Sequence, residues 1–210
     1  LNSTKEYVEK YTEEFYLVDL YYRRTLEAYH ELITKENPIE QTLSDAKHQL
    51  DLEYAKITNV LNLEWLTCVG EKGAWFTETG LKRQEDFYKN ESDTSVKQVV
   101  IVCDALRYEV AKELMQELAK EKHIATIDAY QAMLPTETMY CKPALLPHHL
   151  LELNGTDMMV DGTLLTTTEQ RTAHLGKYRE GAICTRYEDV MNGDAQSMRE
   201  LFKRSLVYIL

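Results

Sequence analysis

Along the first third of the chain, apolar residues recur at three- and four-residue steps: Tyr7, Val8, Tyr11, Phe15, Val18, Tyr22, Leu26 and Tyr29. That period is the turn of an amphipathic α-helix, predicted here over residues 3–35. Ser3 and Thr4 can cap its start, with Glu6 at capping-box distance from Ser3. Asn37-Pro38 ends it, because the residue before proline disfavours the helical region. A second helix is expected over residues 42–67, with Leu43, Ala46, Leu50, Ile57, Leu61 and Leu66 as its apolar stripe. The two are expected to form an antiparallel hairpin through the turn at residues 36–41. Neither holds a heptad repeat, so no coiled coil is expected. A loop over residues 70–80 and a short helix over 81–88 complete this part.

The polar stretch from Lys89 to Ser95 marks the sharpest change along the chain, and divides a helical region, 1–95, from an α/β region, 96–210. Gln98-Val-Val-Ile-Val-Cys103 is a short, β-branched apolar run, as expected of a strand buried on both faces of a parallel sheet. A helix over residues 105–121 and a second strand over 123–130 would complete a βαβ opening. Further strands are expected at 158–160, before the turn Asp161-Gly162, at 182–185 and at 205–210. Helices are expected over 166–175 and, capped by Asp194, through Arg204. A domain seldom stops on a core strand, so the chain reads as a piece of a longer protein, as does the absence of an initiator Met.

Composition narrows the classes. Hydrophobic residues make up 44% of 210, enough for a packed core. No apolar stretch reaches membrane-spanning length, and no signal peptide is evident, so a cytoplasmic protein is expected. Cys68, Cys103, Cys141 and Cys184 are far apart, which argues against a structural zinc site or a disulfide framework. The net charge of −11 opposes nucleic-acid binding by bulk electrostatics, although a local basic patch or a metal can still receive a phosphate.

Two places carry candidate chemistry. Asp104 follows the strand at 98–103, at the carboxyl edge where open α/β sheets bind ligands, and a carboxylate there can hold a divalent cation. The simpler alternative is that Asp104 caps the next helix. Thr136 and Thr138 lie where a helix starts, and a hydroxyl so placed favours an anionic group and can act as a nucleophile. A helix cap is again the alternative.

Taken together, the two segments resemble a known family. CDALRYEVAKEL (103–114) resembles the PglZ signature SDALRYEVAEEL, and LPTETMYCKPALLPH (134–148) resembles its block near LPSYTxLGMAALLPH. Leu81–Tyr88 is similar to the family's xRQRDFY, and Val160-Asp-Gly162 with Arg171 to its VDG…R segment. The final SLVYIL is similar to a family strand. The resemblance implies a phage-defence (BREX) protein: an N-terminal helical region, then the first part of an alkaline-phosphatase-like α/β domain with a mainly parallel sheet.

It further implies that Asp104 ligates a divalent metal, zinc first, with manganese or magnesium as alternatives. Thr138 would be both nucleophile and metal ligand, and Thr136 the lesser candidate. Arg107 is given a phosphate-binding or Asp104-orienting role, while Glu109, facing another side of the helix, is assigned to structure. His148 and His149 match no family ligand and are read as structural or solvated. His123 and His174 have no partners at ligand spacing. Cys141, Lys142 and Pro143 depart from the family pattern. Lys142 would meet phosphate or face solvent.

Two functions follow. One is a metal-dependent phosphate-ester hydrolase, phosphatase or phosphodiesterase/nuclease, acting on a phosphate ester that includes nucleic acid as a possibility. The other is a catalytically silent scaffold docking other phage-defence proteins. The remaining metal ligands would lie beyond Leu210, so the chain by itself is expected to be inactive.

Overall fold

A computed structural model describes residues 1–33, 39–70 and 79–210. The expected stop at Asn37-Pro38, part of the 36–41 turn and most of the 70–80 loop lie outside the described residues. Contacts divide the chain into two compact units, Leu1–Gly80 with Leu106–Ala129, and Leu81–Ala105 with Tyr130–Leu210. This is not the linear division expected after residue 95. The helix beyond Asp104 belongs with the N-terminal helices, because its side chains find their partners there.

In the first unit, α1 (Thr4–Lys10) continues through one π-helical turn, Tyr11–Phe15, into α2 (Tyr16–Ile33). Ser3 caps α1 by accepting the Glu6 N–H. The Glu6 carboxylate reaches back to the Asn2 N–H rather than to that of Ser3, so the expected capping box closes one residue early. Helix α3 (Glu40–Val69) runs antiparallel to α1 and α2. Tyrosines make this packing: Tyr22 stacks on Tyr54 at 3.8 Å, Tyr7 meets Trp65, and Tyr7 Oη donates to Leu61 O. The expected aliphatic stripe of α3 is not a core: no α3 residue is fully buried, and Ile57 and Leu66 are exposed.

Helix α5 (Tyr108–Lys120), which follows a short α4 (Phe87–Glu91) of the second unit in the chain, packs on α2. Glu113 pairs with Arg23 and Arg24, and Tyr108 packs edge-on against Tyr16. Glu109 is fully buried, with Arg107 Nε 3.0 Å and Arg23 Nε 3.9 Å from Oε1. A buried carboxylate needs such company, since an uncompensated one costs several kcal/mol.

The second unit is built around a parallel three-stranded sheet in the order β2-β8-β7, formed by Gln98–Ile101, Leu206–Ile209 and Ala182–Thr185. Central β8 is buried along its whole length and joins Leu146, Val160, Leu165 and Leu175 in the core. Tyr208 places its hydroxyl 3.0 Å from Leu145 O. Helix α7 (Thr168–Tyr178), closed by a Thr167/Gln170 capping box, covers β7. A hairpin sheet, β4 (Leu151–Asn154), β5 (Asp157–Val160) and β6 (Thr163–Leu164), is antiparallel. Its β5–β6 turn puts Asp161 and Gly162 at φ of 49° and 73°, the left-handed pair that suits a tight hairpin. A two-residue parallel pair, β1 (Lys82–Arg83) with β3 (Tyr130–Gln131), leads into α4 (Phe87–Glu91). The helices α6 (Thr138–Ala144), α8 (Tyr187–Met191) and α9 (Ala195–Leu201, capped by Asp194) complete the unit.

Three expectations are corrected. β2 is an edge strand of this sheet with Val99 and Ile101 exposed, so it is not buried on both faces. Its neighbour is β8, over a hundred residues later, and not a strand at 123–130, so the local βαβ reading fails. Residues 123–129 form no strand, and only Tyr130–Gln131 pairs, with β1. Finally, residues 81–88 are not one helix but β1, a 3₁₀ turn and the start of α4. The α/β architecture with parallel pairing is as expected.

Candidate functional site

Asp104 lies three residues beyond the end of β2, where the backbone turns through Ala105 at φ 55°. A β-carbon disfavours that left-handed conformation by roughly 1–2 kcal/mol, so the bend after Asp104 is held by its surroundings and not by local preference. The residue capping α5 is Arg107, so Asp104 is not that helix's cap. Its carboxylate is engaged elsewhere: Thr138 Oγ1 donates to Asp104 Oδ2 at 2.9 Å. Thr138 is the first residue of α6, after Glu137 at the cap position. The seven-residue α6 is too short for its dipole to decide the chemistry. What stands out is the side-chain pair, joined across 34 residues of sequence and exposed to solvent.

Lys142 completes the arrangement. One helical turn after Thr138, and therefore on the same face of α6, it places Nζ 3.8 Å from the same Asp104 Oδ2. Its side chain is 27% exposed, against 58% for Asp104. The sequence left Lys142 to meet phosphate or face solvent; the structure places it beside the Asp104 carboxylate, a partner neither expectation named.

The segment carrying Thr138 is pinned at both ends by one amide. Gln84 Oε1 accepts the Met133 N–H at 3.0 Å, and Gln84 Nε2 donates to Cys141 O at 3.3 Å. Burial raises the Cys141 thiol's pKa, and its Sγ approaches the Met133 and Pro135 carbonyls. Sequence reading assigned Gln84 no role, and no spacing rule finds it, because its partners lie about 50 residues away. Lys142 was named from the sequence as a charge near Thr138; its pairing with Asp104 was not. Thr136 lies in the exposed connection before α6, and the hydroxyl directed at Asp104 is that of Thr138.

The remaining candidates fall elsewhere. Arg107 belongs to the first unit, where its guanidinium pairs with Glu109 at 3.0 Å and with Asp19 at 3.4 Å. Arg107 and Glu109 do meet, contrary to the expectation of different faces. Arg107 is extended at φ −80° and ψ 155°, ahead of the first helical turn, so helix spacing does not apply to it. Asp19 also accepts hydrogen bonds from the Tyr11 and Tyr54 hydroxyls, and burial followed by that bond raises the Tyr11 pKa. His148 Nδ1 lies 2.7 Å from Leu146 O, and buried His174 holds Pro147 O at 2.6 Å through Nε2. The His149 and Leu150 N–H groups donate to Asp161 Oδ1. The His148 and His174 rings thus face backbone carbonyls, and the His149 ring lies against that of Tyr178.

Whether the site suits a divalent cation is a question of donors. Asp104 and Thr138 offer two oxygen atoms 2.9 Å apart, a spacing and chemistry that fit one edge of an oxygen-liganded cation. Among the described residues no group of three or more His, Cys, Asp or Glu side chains is placed to hold a metal, so by itself the pair would supply only part of a ligand set. No helix among the described residues is long and apolar enough to cross a membrane.

Comparison with known proteins follows the same residues. Residues 85–210 match the model of the BREX system PglZ alkaline phosphatase-like domain, which takes in β2, Asp104, α6 and Lys142. The chain is 29% identical over 209 residues to an alkaline phosphatase-like protein PglZ of Bacillus cereus (strain H3081.97), covering 94% of this chain and 24% of that protein. It is 33% identical over 141 residues to an alkaline phosphatase-like protein BrxZ of Escherichia coli O9:H4 (strain HS), covering 62% and 16%. The chain thus spans at most about a quarter of these relatives. No solved structure matches significantly. The matched region is the one that carries the Asp104–Thr138 pair, and the chain belongs to the PglZ family of BREX systems, with its alkaline phosphatase-like domain.

Proposed function

We propose that the protein is a metal-dependent phosphate-ester hydrolase of phage defence, with Thr138 as nucleophile and Asp104 as the residue that orients it and holds the metal. The observation that carries this is the 2.9 Å hydrogen bond from Thr138 Oγ1 to Asp104 Oδ2. It directs the hydroxyl proton toward the carboxylate and leaves an oxygen lone pair free to attack phosphorus. The P–Oγ1 bond forms as the bond to the leaving alcohol breaks; the Oγ1 proton leaves to solvent by way of the Asp104 carboxylate, and the alcohol oxygen takes a proton from solvent. Water then cleaves the phosphothreonine ester and restores the hydroxyl. A divalent cation bound by Asp104 and Thr138 would neutralise charge on the phosphoryl oxygens and make the hydroxyl more acidic. Gln84 holds the nucleophile segment in register by its two hydrogen bonds. Other defence-system proteins are the expected partners, in keeping with the BREX relatives.

The test is hydrolysis of a chromogenic phosphodiester and monoester by the full-length protein with zinc, manganese or magnesium. Thr138→Ala and Asp104→Ala are each expected to lower kcat by at least about a hundredfold. Wild-type protein inert with every metal, or variants as active as wild type, would leave a scaffold as the better reading.

A further inference from the structure

We propose that Lys142 is a charge partner that alternates between Asp104 and the substrate: it balances the carboxylate when no cation is bound, and contacts a phosphoryl oxygen when Asp104 turns to the metal. This rests on the reading of Asp104 and Thr138 as the reacting pair. Asp104 Oδ2 already serves two partners, the Thr138 hydroxyl at 2.9 Å and the Lys142 ammonium at 3.8 Å. A divalent cation on that oxygen would be a third and would repel the ammonium. The two positive charges then compete for one carboxylate, and the lysine is the one that can move, having a flexible four-carbon stem. Displaced, it remains on the face of α6 that carries Thr138, where a transferring phosphoryl group brings several negative oxygens. An ammonium is a good point-charge ligand for such a group. Most surface lysines keep their charge in open water. Lys142 differs in that its side chain is largely covered, at 27% exposure, and its ammonium is directed at the candidate nucleophile's partner. The segment's anchoring by Gln84 to Met133 and Cys141, the residue before the lysine, keeps this placement from drifting.

The experiment uses the full-length protein as wild type, Lys142→Met, Lys142→Arg and Asp104→Asn, with folding checked by circular dichroism. Manganese affinity is measured by calorimetry without substrate, and inorganic phosphate affinity is then measured at saturating manganese. Removing the competing ammonium in Lys142→Met is expected to tighten manganese two- to fivefold, the worth of one partly exposed ion pair. It is expected to weaken phosphate about five- to tenfold, while Lys142→Arg, which keeps the charge, stays within about twofold of wild type. If Asp104→Asn abolishes manganese binding but Lys142→Met changes neither affinity, the lysine proposal is overturned and the reacting pair stands. If Asp104→Asn leaves manganese binding as in wild type, the pair itself falls, and the role of Lys142 with it.

Discussion

Replacing Asp161 by Asn tests the electrostatics of the second unit without disturbing its backbone. Asp161 sits at φ 49° in the β5–β6 turn, a conformation that Asn tolerates as well as Asp. Its Oδ1 accepts the N–H groups of His149 at 2.8 Å and Leu150 at 2.9 Å, and its Oδ2 accepts the Tyr178 hydroxyl. Burial opposes the ionised carboxylate, but these three donors outweigh it and hold the pKa down from 3.8 to about 2. On the other side of the bond, burial and then Asp161 push Tyr178 up to about 12, so the phenol remains a donor throughout. The carboxyl's drop of roughly two units, at about 1.4 kcal/mol per unit, sets a ceiling near 2.5 kcal/mol. Partial exposure of the side chain reduces this to about 1–2 kcal/mol.

The sign is fixed by the direction of the shift. A depressed carboxyl pKa stabilises the fold above the unfolded value of 3.8, and that contribution disappears as pH falls from there to about 2. The asparagine amide oxygen can still accept the two backbone N–H groups, while its NH2 takes the place of the oxygen that accepts from Tyr178, so the charge and that one acceptor are what the substitution removes. Urea unfolding should show Asp161→Asn less stable than wild type by about 1–2 kcal/mol at pH 7, with the gap closing by pH 2. Faster amide exchange at Leu150 should accompany it at neutral pH. Equal stability at pH 7, or a gap of the same size at pH 2, would refute the reasoning.

Other consequences can be measured on the same footing. Tyr208→Phe removes one hydroxyl from a fully buried ring and leaves Leu145 O without that partner, an expected loss of about 1–2 kcal/mol by denaturant titration. Arg179 is buried and donates to Asp93 O at 2.9 Å, Gln98 Oε1 at 2.8 Å and Val96 O, tying down the approach to β2. Arg179→Ala should therefore cost about 2–4 kcal/mol. Arg179→Lys should recover little of it, because a point charge cannot span three acceptors; full recovery of the melting temperature would contradict that account.

Much of this protein was legible along the chain. Helical periodicity in the first region, the strands at 182–185 and 205–210, the Asp161-Gly162 turn and the Asp194 cap all depend on neighbours within a few residues, which sequence displays directly. Asp104 was marked by its place after a strand, and Thr136 and Thr138 by theirs near a helix start; the preference for Thr138 came only from the family resemblance. What the tertiary structure decided is what lies across long stretches of chain. It pairs β2 with β8 in place of a strand nearby, because a parallel partner is chosen by the sheet's packing and not by adjacency. It moves the helix after Asp104 into the unit of the N-terminal helices, where buried Glu109 finds its arginines. It also joins Asp104, Thr138 and Lys142 at one oxygen atom and bridges the ends of the Thr138 segment with Gln84. Periodicity reports which way a side chain faces on its own element; which distant group it meets is settled only when the elements pack.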